Sequence, residues 1–387
     1  MSSDAGAAPP ARMIDLFAGP GGLDVAARWL GIPVTGVEWD ADALATRTAA
    51  GLGTRGADVR DLGPDLFPEA TVLAGGPPCQ TFSVAGTGAG RQALDEVMGF
   101  VDRMGAGDRS VRAELKTLRD ERTGLVLEPL RWVLDAADLH RRPYEVIVLE
   151  QVPAVLPVWQ RVAAVLGARG YTCETGILRT EQFGVPQTRR RAILVAHLRR
   201  RPRLPTPTHR TFRPRGAATP ADAHLAPWLP MGPLLAPDRE FVVVSNYGTG
   251  GDPRARGRRR HDEPAYTVTG KVSRNKMVTV EGAYLRNLDH RDAARLQTFP
   301  PDYPWAGRDL AQQIGNAIPP RLAAHVLSWA VFDRAPDPAA LDAAVAGSWR
   351  DAHGALAPAR SAQSATLTSA TATGRPARRE SAQASAM

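Results

Sequence analysis

The 387-residue sequence has two cysteines, Cys79 and Cys173, and three lysines. So few cysteines exclude a disulfide framework and a cysteine-rich zinc site. The chain is therefore expected to work in a reducing cytosol, with no metal centre. No run of about 18 apolar residues occurs, so no membrane-spanning helix and no membrane partner are expected. The N-terminus, MSSDAGAAPPAR, lacks a basic stretch followed by an apolar one, so no signal peptide is expected. No internal repeat is visible. The scarcity of lysine beside 45 arginines is a compositional bias.

What is present suffices for one large domain and a smaller one, with 43% hydrophobic residues to build a core. The net charge of +8 is unevenly spread. Residues 198–286 carry 17 Lys and Arg against 7 Asp and Glu, an excess of +10, so the remainder sums to about −2. Arginine bias accounts for the number of charges and not for their segregation. A segment holding the whole positive excess is the footprint of a polyanion-binding surface, and nucleic acid is the expected partner.

Along the chain, residues 1–11 are expected to be disordered. From Met13 strands alternate with helices: MIDLFAG, then GLDVAARWLG; VTGVEW, then ADALATRTAAGLG; short strands at GADV and TVLAGG. VLEPLRWVLDAADLH is predicted helical, YEVIVLE a strand, VWQRVAAVLGARG a helix, and YTCETGILR and RAILVAHL further strands. This alternation predicts an α/β sheet with helices on both faces. The pattern breaks near 198, in a proline- and arginine-rich stretch, and helical patterning returns at HRDAARLQTF and PPRLAAHVLSWAVF. The expected organisation is an α/β part over 12–197, a basic module over 198–286, a part over 287–334 that completes the α/β domain, and a disordered or weakly helical tail over 335–387.

DLFAGPGGL (15–23) follows the first strand and opens the first helix, where Gly19, Gly21 and Gly22 permit a tight turn and close approach to a ligand. A tight turn without any ligand fits these glycines equally. Glu38, at the carboxyl end of the second strand, suits ribose hydroxyls. Trp39 offers a flat face for a purine, and Asp58 an acceptor for an exocyclic amine. Together, at successive strand ends, they mark one crevice for an adenosine-like ligand. GGPPCQTFS (75–83) then sets Cys79 behind two prolines that fix the backbone. Gln80, Thr81 and Ser83 make its surroundings polar, as an accessible thiol requires.

With these residues the chain resembles the DNA cytosine-5 methyltransferases. DLFAGPGGL, GGPPCQTFS, VLEQVP (148–153), QTRRR (187–191), ARLQTFP (294–300) and QIGNAIPP (313–320) occur in that family's order, over about residues 12–333. Cys173 belongs to none of these motifs and reads as a core residue of a strand. The resemblance implies a Rossmann-like S-adenosylmethionine-dependent fold with 198–286 as the target-recognition domain. It implies methylation of C5 of a cytosine flipped out of duplex DNA. Cys79 is then the nucleophile that adds to C6. Glu150 holds or protonates N3, a role for a carboxyl group that can carry a proton in a closed pocket. Arg189 and Arg191 alternate on one strand, and so would share a face to hold O2 and steady Cys79 or a phosphate. Phe17 would stack on the adenine of S-adenosyl-L-methionine, Glu38 bind its ribose and Asp58-Val59 the adenine edge. Pro78, Leu125 and Asn316 would complete the pocket, and S-adenosyl-L-homocysteine would leave as product. A cytoplasmic, nucleoid-associated monomer is expected, with a cognate restriction endonuclease as partner or none.

Two departures stand out. Gln151 occupies the place where the family usually has asparagine. Residues 92–118 form an extra segment, with Leu94, Val97, Met98, Val101 and Met104 at helical spacing, which either packs on the surface or reaches the DNA. A tRNA cytosine-5 methyltransferase and a non-catalytic DNA-binding relative remain as alternatives. The basic insert favours DNA, and retention of Cys79, Glu150 and Arg189 favours an enzyme.

Overall fold

A computed structural model describes residues 11–78, 88–115, 124–214, 219–245 and 256–357, with side chains from 94 onward in the second of these stretches. Cys79, the end of the 92–118 segment, Arg254, and the tail from 358 lie outside the described residues.

Among the described residues, eleven strands form two sheets. The first orders β3 (Thr54–Gly56), β2 (Val34–Glu38), β1 (Met13–Leu16), β4 (Val72–Gly75), β5 (Val146–Gln151), β7 (Arg190–His197) and β6 (Thr172–Arg179) side by side. β3 through β5 run parallel, while β7 is antiparallel to both β5 and β6. Successive residues of the central strands alternate between two apolar cores. Val146 and Val148 of β5 join one core, and Ile147 and Leu149 join the other. A strand buried on both faces reads as the continuous apolar run seen in the sequence, and it requires a layer of helices on each side.

One layer holds α1 (Gly22–Trp29) and, from the far end of the chain, the helix Pro320–Phe332, which pack directly on each other. The opposite layer holds α3 (Gly88–Gly105), α4 (Val111–Leu115), α5 (Glu128–Leu134) and α6 (Leu156–Gly167). Between the two layers in chain order lies α2 (Ala41–Ala49), capped by the Asp40 carboxylate on Ala43 N–H at 2.9 Å. Arg47 of α2 and Asp24 of α1 form a fully buried bidentate pair at 2.7 and 3.0 Å. That pair fastens two helices whose N-termini face the same crevice.

The extra segment folds as α3 and α4. Val97, Val101 and Met104 bury against α6, and Arg103 bridges Asp108 and Glu114. For these residues the surface-packing alternative is the observed one.

The described residues of the basic module have little regular structure. It contains the antiparallel sheet β11 (Tyr284–Asn287), β10 (Lys276–Val278), β8 (Val242–Val244), β9 (Arg258–Arg260). Arg258 and Arg260 on β9 are exposed, and Arg259 stacks between Phe212 and Tyr266 at 4.1 and 4.7 Å.

Two boundaries differ from the sequence expectation. The third strand ends at Gly56 and not at Val59, because Asp58 turns back to cap the one-turn helix Val59–Asp61 through Arg60 N–H. The tail expected from 335 is packed as far as Leu356. A helix spans Pro338–Ala346, and Trp349, Ala352 and Leu356 are buried in the same core as α1.

Candidate active site

The strand order reverses between β1 and β4, and ligands of open α/β sheets bind outside the strand ends at such a switch point. Here a cavity of about 480 Å³ opens at the carboxyl ends of β1, β2, β4 and β5. That size suits one cofactor-sized ligand. It gathers Phe17, Gly19, Gly22, Glu38, Trp39, Pro78, Leu125, Glu150, Arg191 and Asn316 from seven separate stretches of sequence.

The wall after β1 is built from strained backbone. Phe17, Gly19 and Gly21 all have positive φ (59°, 54° and 106°), a conformation that costs a bulky residue such as Phe17 on the order of 1–3 kcal/mol. The strained turn directs the Gly19 N–H at Glu38 Oε2, 2.7 Å away. Glu38 Oε1 accepts from the N–H groups of Trp39 and Asp40, each at 2.8 Å. The carboxylate is thus fixed while facing the cavity. Beside it Trp39 is 64% exposed, an expensive posture for the largest apolar side chain unless a ligand covers its face.

Asp15 lies deeper, on the cavity floor, with both oxygens buried and without a hydrogen-bond partner among the described residues. Burial, reinforced by the neighbouring Asp24 carboxylate, raises its pKa well above the usual range. Asp40, Asp42 and Asp309 also line the cavity, making it acidic apart from Arg191.

At the other end, Glu150 closes β5 and Arg191 lies on β7. Arg191 Nε approaches Glu150 Oε1 to 2.5 Å, an ion-pair contact between side chains that are both largely buried. Gly76 leaves β4 directly over this carboxylate, and a Cβ there would stand 3.2 Å from Glu150 Oε2. Glycine lets the loop leading to Pro77 and Pro78 approach so closely. Gln151 Nε2 donates to the Pro77 carbonyl at 2.7 Å, and its Oε1 accepts from Val152 N–H. The longer amide thus ties the end of β5 to the proline loop. Pro77 and Pro78 themselves contribute no N–H groups to that loop.

Four residues expected at the site lie outside the cavity lining. Arg189 stands behind the cavity wall. Its guanidinium is buried and donates to the carbonyls of Val268 (2.8 Å), Gly315 (2.8 Å) and Ala317 (3.2 Å). Gly315 and Ala317 form the cavity wall, so Arg189 supports that wall from behind. Asp58 is engaged by Arg60 at 2.6 Å; burial opposes ionisation, but Arg60 holds its pKa below the ordinary value. Val59 is core, and its carbonyl accepts from Arg131 at 2.8 Å. Gly21 is demanded by sterics, since a Cβ would lie 2.5 Å from Leu52 Cδ1 and 2.9 Å from Tyr303 Oη.

Sequence reasoning assigned no role to Asp15, although it heads a quoted motif, nor to Gln187. The Gln187 amide is buried and donates to Leu296 O at 2.9 Å and Gln297 Oε1 at 2.6 Å. It thereby joins two of the motifs to each other. Cys173 sits on edge strand β6, partly buried against the core, where burial pushes its thiol up to about 11, an inert group as expected.

Comparison with known proteins places these features together. A family model described as C-5 cytosine-specific DNA methylase matches residues 11–98, 108–220 and 239–329. The chain is 28% identical over 322 residues to the Type II methyltransferase M.AplI of Arthrospira platensis, covering 80% of this chain and 83% of that one. It is 31% identical over 190 residues to the Type II methyltransferase M.BbvI of Brevibacillus brevis, covering 42% and 49%. The solved Dnmt2 methyltransferase of S. pombe superposes with a TM-score of 0.54 at 17% identity, over 84% of this chain and 99% of that one. The Entamoeba histolytica methyltransferase EhMeth gives 0.53 at 14%, over 84% and 98%. At such identities the structures speak for the fold.

Proposed function

The chain belongs to the C-5 cytosine-specific DNA methylase family and is a DNA cytosine-5 methyltransferase; from that premise we propose which of its residues carry the reaction. Cytosine C5 is too weak a nucleophile to be methylated unaided. In the proposed mechanism the Cys79 thiolate adds to C6 of the extruded base, which makes C5 enamine-like. Glu150 holds N3, supplying a proton as charge accumulates there, and Arg191 contacts O2 and keeps the Glu150 carboxyl oriented. After methylation, loss of the C5 proton and departure of the thiolate restore the aromatic ring. The observation that carries this reading is the Glu150–Arg191 pair in the crevice, directly beneath the Gly76-Pro77-Pro78 loop that leads to Cys79.

The methyl donor is S-adenosyl-L-methionine. The cavity's chemistry suits it: a flat exposed indole for a purine, a fixed carboxylate for ribose hydroxyls, and an acidic lining for a ligand bearing a sulfonium and an ammonium. When bound, this cofactor supplies the electrophilic methyl group that C5 takes, and it leaves as S-adenosyl-L-homocysteine. Phe17, Trp39 and Leu125 would hold the adenine, Glu38 would bind the ribose, and Asn316 with Pro78 would complete the pocket.

Double-stranded DNA is the substrate, held by the basic module over 198–286 acting as target-recognition domain. The Type II methyltransferase relatives support a place in a restriction–modification system, with a cognate endonuclease as partner. The proposed place of action is the nucleoid in the cytoplasm, where the DNA substrate lies; among the described residues no helix is long and apolar enough to cross a membrane.

The test is covalent trapping. Duplex DNA carrying 5-fluorocytosine at the target should form a stable adduct with the enzyme and S-adenosyl-L-methionine, and Cys79→Ala should abolish it while still binding DNA. Full methylation by Cys79→Ala, or methylation at cytosine N4, would refute the assignment.

A further inference from the structure

The chain continues past residue 329, where the family match ends, and its next described residues return to the cofactor side of the molecule. After the helix Pro338–Ala346, Ser348 and Trp349 are anchored on one carboxylate. Ser348 Oγ donates to Asp302 Oδ2 at 2.6 Å, and Trp349 N–H donates to Asp302 Oδ1 at 2.7 Å. The buried Trp349 indole donates to the Ala50 carbonyl at the end of α2 (3.1 Å) and lies beneath the Arg28 guanidinium of α1 at 4.6 Å. Gly354 and Leu356 N–H groups then bond the carbonyls of Arg28 and Trp29 at 2.8 and 2.7 Å, closing the last turn of α1. This strap therefore grips both helices that start at the cofactor crevice.

Its contacts continue inward. The Trp349 ring meets Tyr303 edge-on with centroids 5.1 Å apart, and Tyr303 also packs on Phe299 and Trp305 at 5.0 Å each. Tyr303 is 4% exposed, and its hydroxyl donates to the Pro20 carbonyl in the glycine loop of the cavity wall. The space that Gly21 leaves free is where this hydroxyl sits.

We infer that Tyr303 is a positioning residue for the Gly19–Gly22 cofactor loop, and that the C-terminal strap, through Trp349, holds Tyr303 in place. A loop with three glycines among four residues has high conformational entropy when free, and ordering it on ligand binding would cost affinity. A hydroxyl fixed from behind orders the loop beforehand. The inference rests on the reading of this cavity as the S-adenosyl-L-methionine site. It goes beyond that reading by giving a role in cofactor affinity to a segment outside the family match.

The test uses the full chain and three variants: Tyr303→Phe, Trp349→Phe and Trp349→Ala. Affinity for S-adenosyl-L-methionine and S-adenosyl-L-homocysteine is measured by calorimetry and for DNA by mobility shift. Hydrogen exchange at the Gly19, Gly21 and Gly22 amides is followed without ligand. Removing one hydrogen bond in Tyr303→Phe is expected to weaken both cofactor forms about ten-fold. DNA affinity should stay within about two-fold and exchange at the three glycines should quicken. Trp349→Ala should show the same pattern, and Trp349→Phe, which keeps a ring against Tyr303, should restore most of it. Wild-type cofactor affinity together with wild-type loop exchange in Tyr303→Phe would overturn the inference. So would equal losses for cofactor and DNA, which mark general destabilisation. Should the wild-type protein fail to bind S-adenosyl-L-methionine, the cofactor reading falls, and loop exchange alone decides whether Tyr303 fixes the loop.

Discussion

Two arginines of one five-residue motif, QTRRR, should fail in opposite ways. Arg189 satisfies three backbone carbonyls from inside the protein, two of them in the cavity wall. Replacing it with methionine keeps the bulk and takes this donor from the Val268 and Gly315 carbonyls, while the Ala317 carbonyl keeps Gln297 Nε2 at 2.9 Å. At about 1–3 kcal/mol for each of these two buried acceptors, the loss is about 2–6 kcal/mol. That is a large share of a typical stability of about 5–15 kcal/mol. At about 2–4 °C per kcal/mol for a large domain, the melting temperature of Arg189→Met should fall by about 4–24 °C. Arg191 instead lines the cavity and touches Glu150. Arg191→Met should change the melting temperature by less than about 3 °C, since cavity-lining side chains contribute little to folding. Its rate of 5-fluorocytosine adduct formation in a single turnover should drop at least about 100-fold, the usual effect of losing one charge-stabilising contact. The assays are thermal denaturation and gel-resolved adduct formation, below the melting point of both variants. A stable Arg189→Met that has lost adduct formation would refute the reasoning, because Arg189 would then act on the base and not on the wall.

Trp39→Ala removes an exposed stacking face and should weaken S-adenosyl-L-methionine by roughly 10- to 100-fold without lowering stability, read by calorimetry and thermal denaturation. Gln151→Leu deprives the buried Pro77 carbonyl of its donor, so adduct formation should slow about ten-fold while cofactor affinity holds; an unchanged rate would make that bond incidental. The His325 ring packs on Phe183 with both nitrogens buried and unpartnered among the described residues, and burial followed by the Arg321 charge pushes its pKa down to about 3. The unfolded chain takes a proton there below about 6.5 while the folded chain does not, so stability falls as pH drops from about 6.5 toward about 3. His325→Phe should remove about 2 kcal/mol of the stability lost between pH 7 and pH 5, measured by urea denaturation at both. An unaltered pH dependence would mean that His325 does not titrate as its burial implies.

The sequence alone determined the α/β alternation, the order of the motifs and the identities of Glu38, Trp39, Glu150 and Arg191. Apolar runs, strand-end carboxylates and a Gly-rich turn are local signals, and a strand's carboxyl end fixes where its last side chain is delivered. Tertiary structure decided everything that depends on which backbone groups meet from distant parts of the chain. Arg189 and Arg191 are equivalent in spacing, yet one meets carbonyls 79 to 128 residues away and the other a carboxylate. Asp58 reads as a ligand acceptor until Arg60 closes on it. The tail after 335 has the composition of disorder, but Trp349 and Leu356 find a core between α1 and α2 that no local pattern announces. Local propensity sets what each segment can form; the burial and pairing of groups far apart in sequence set which side chains remain free to meet a ligand.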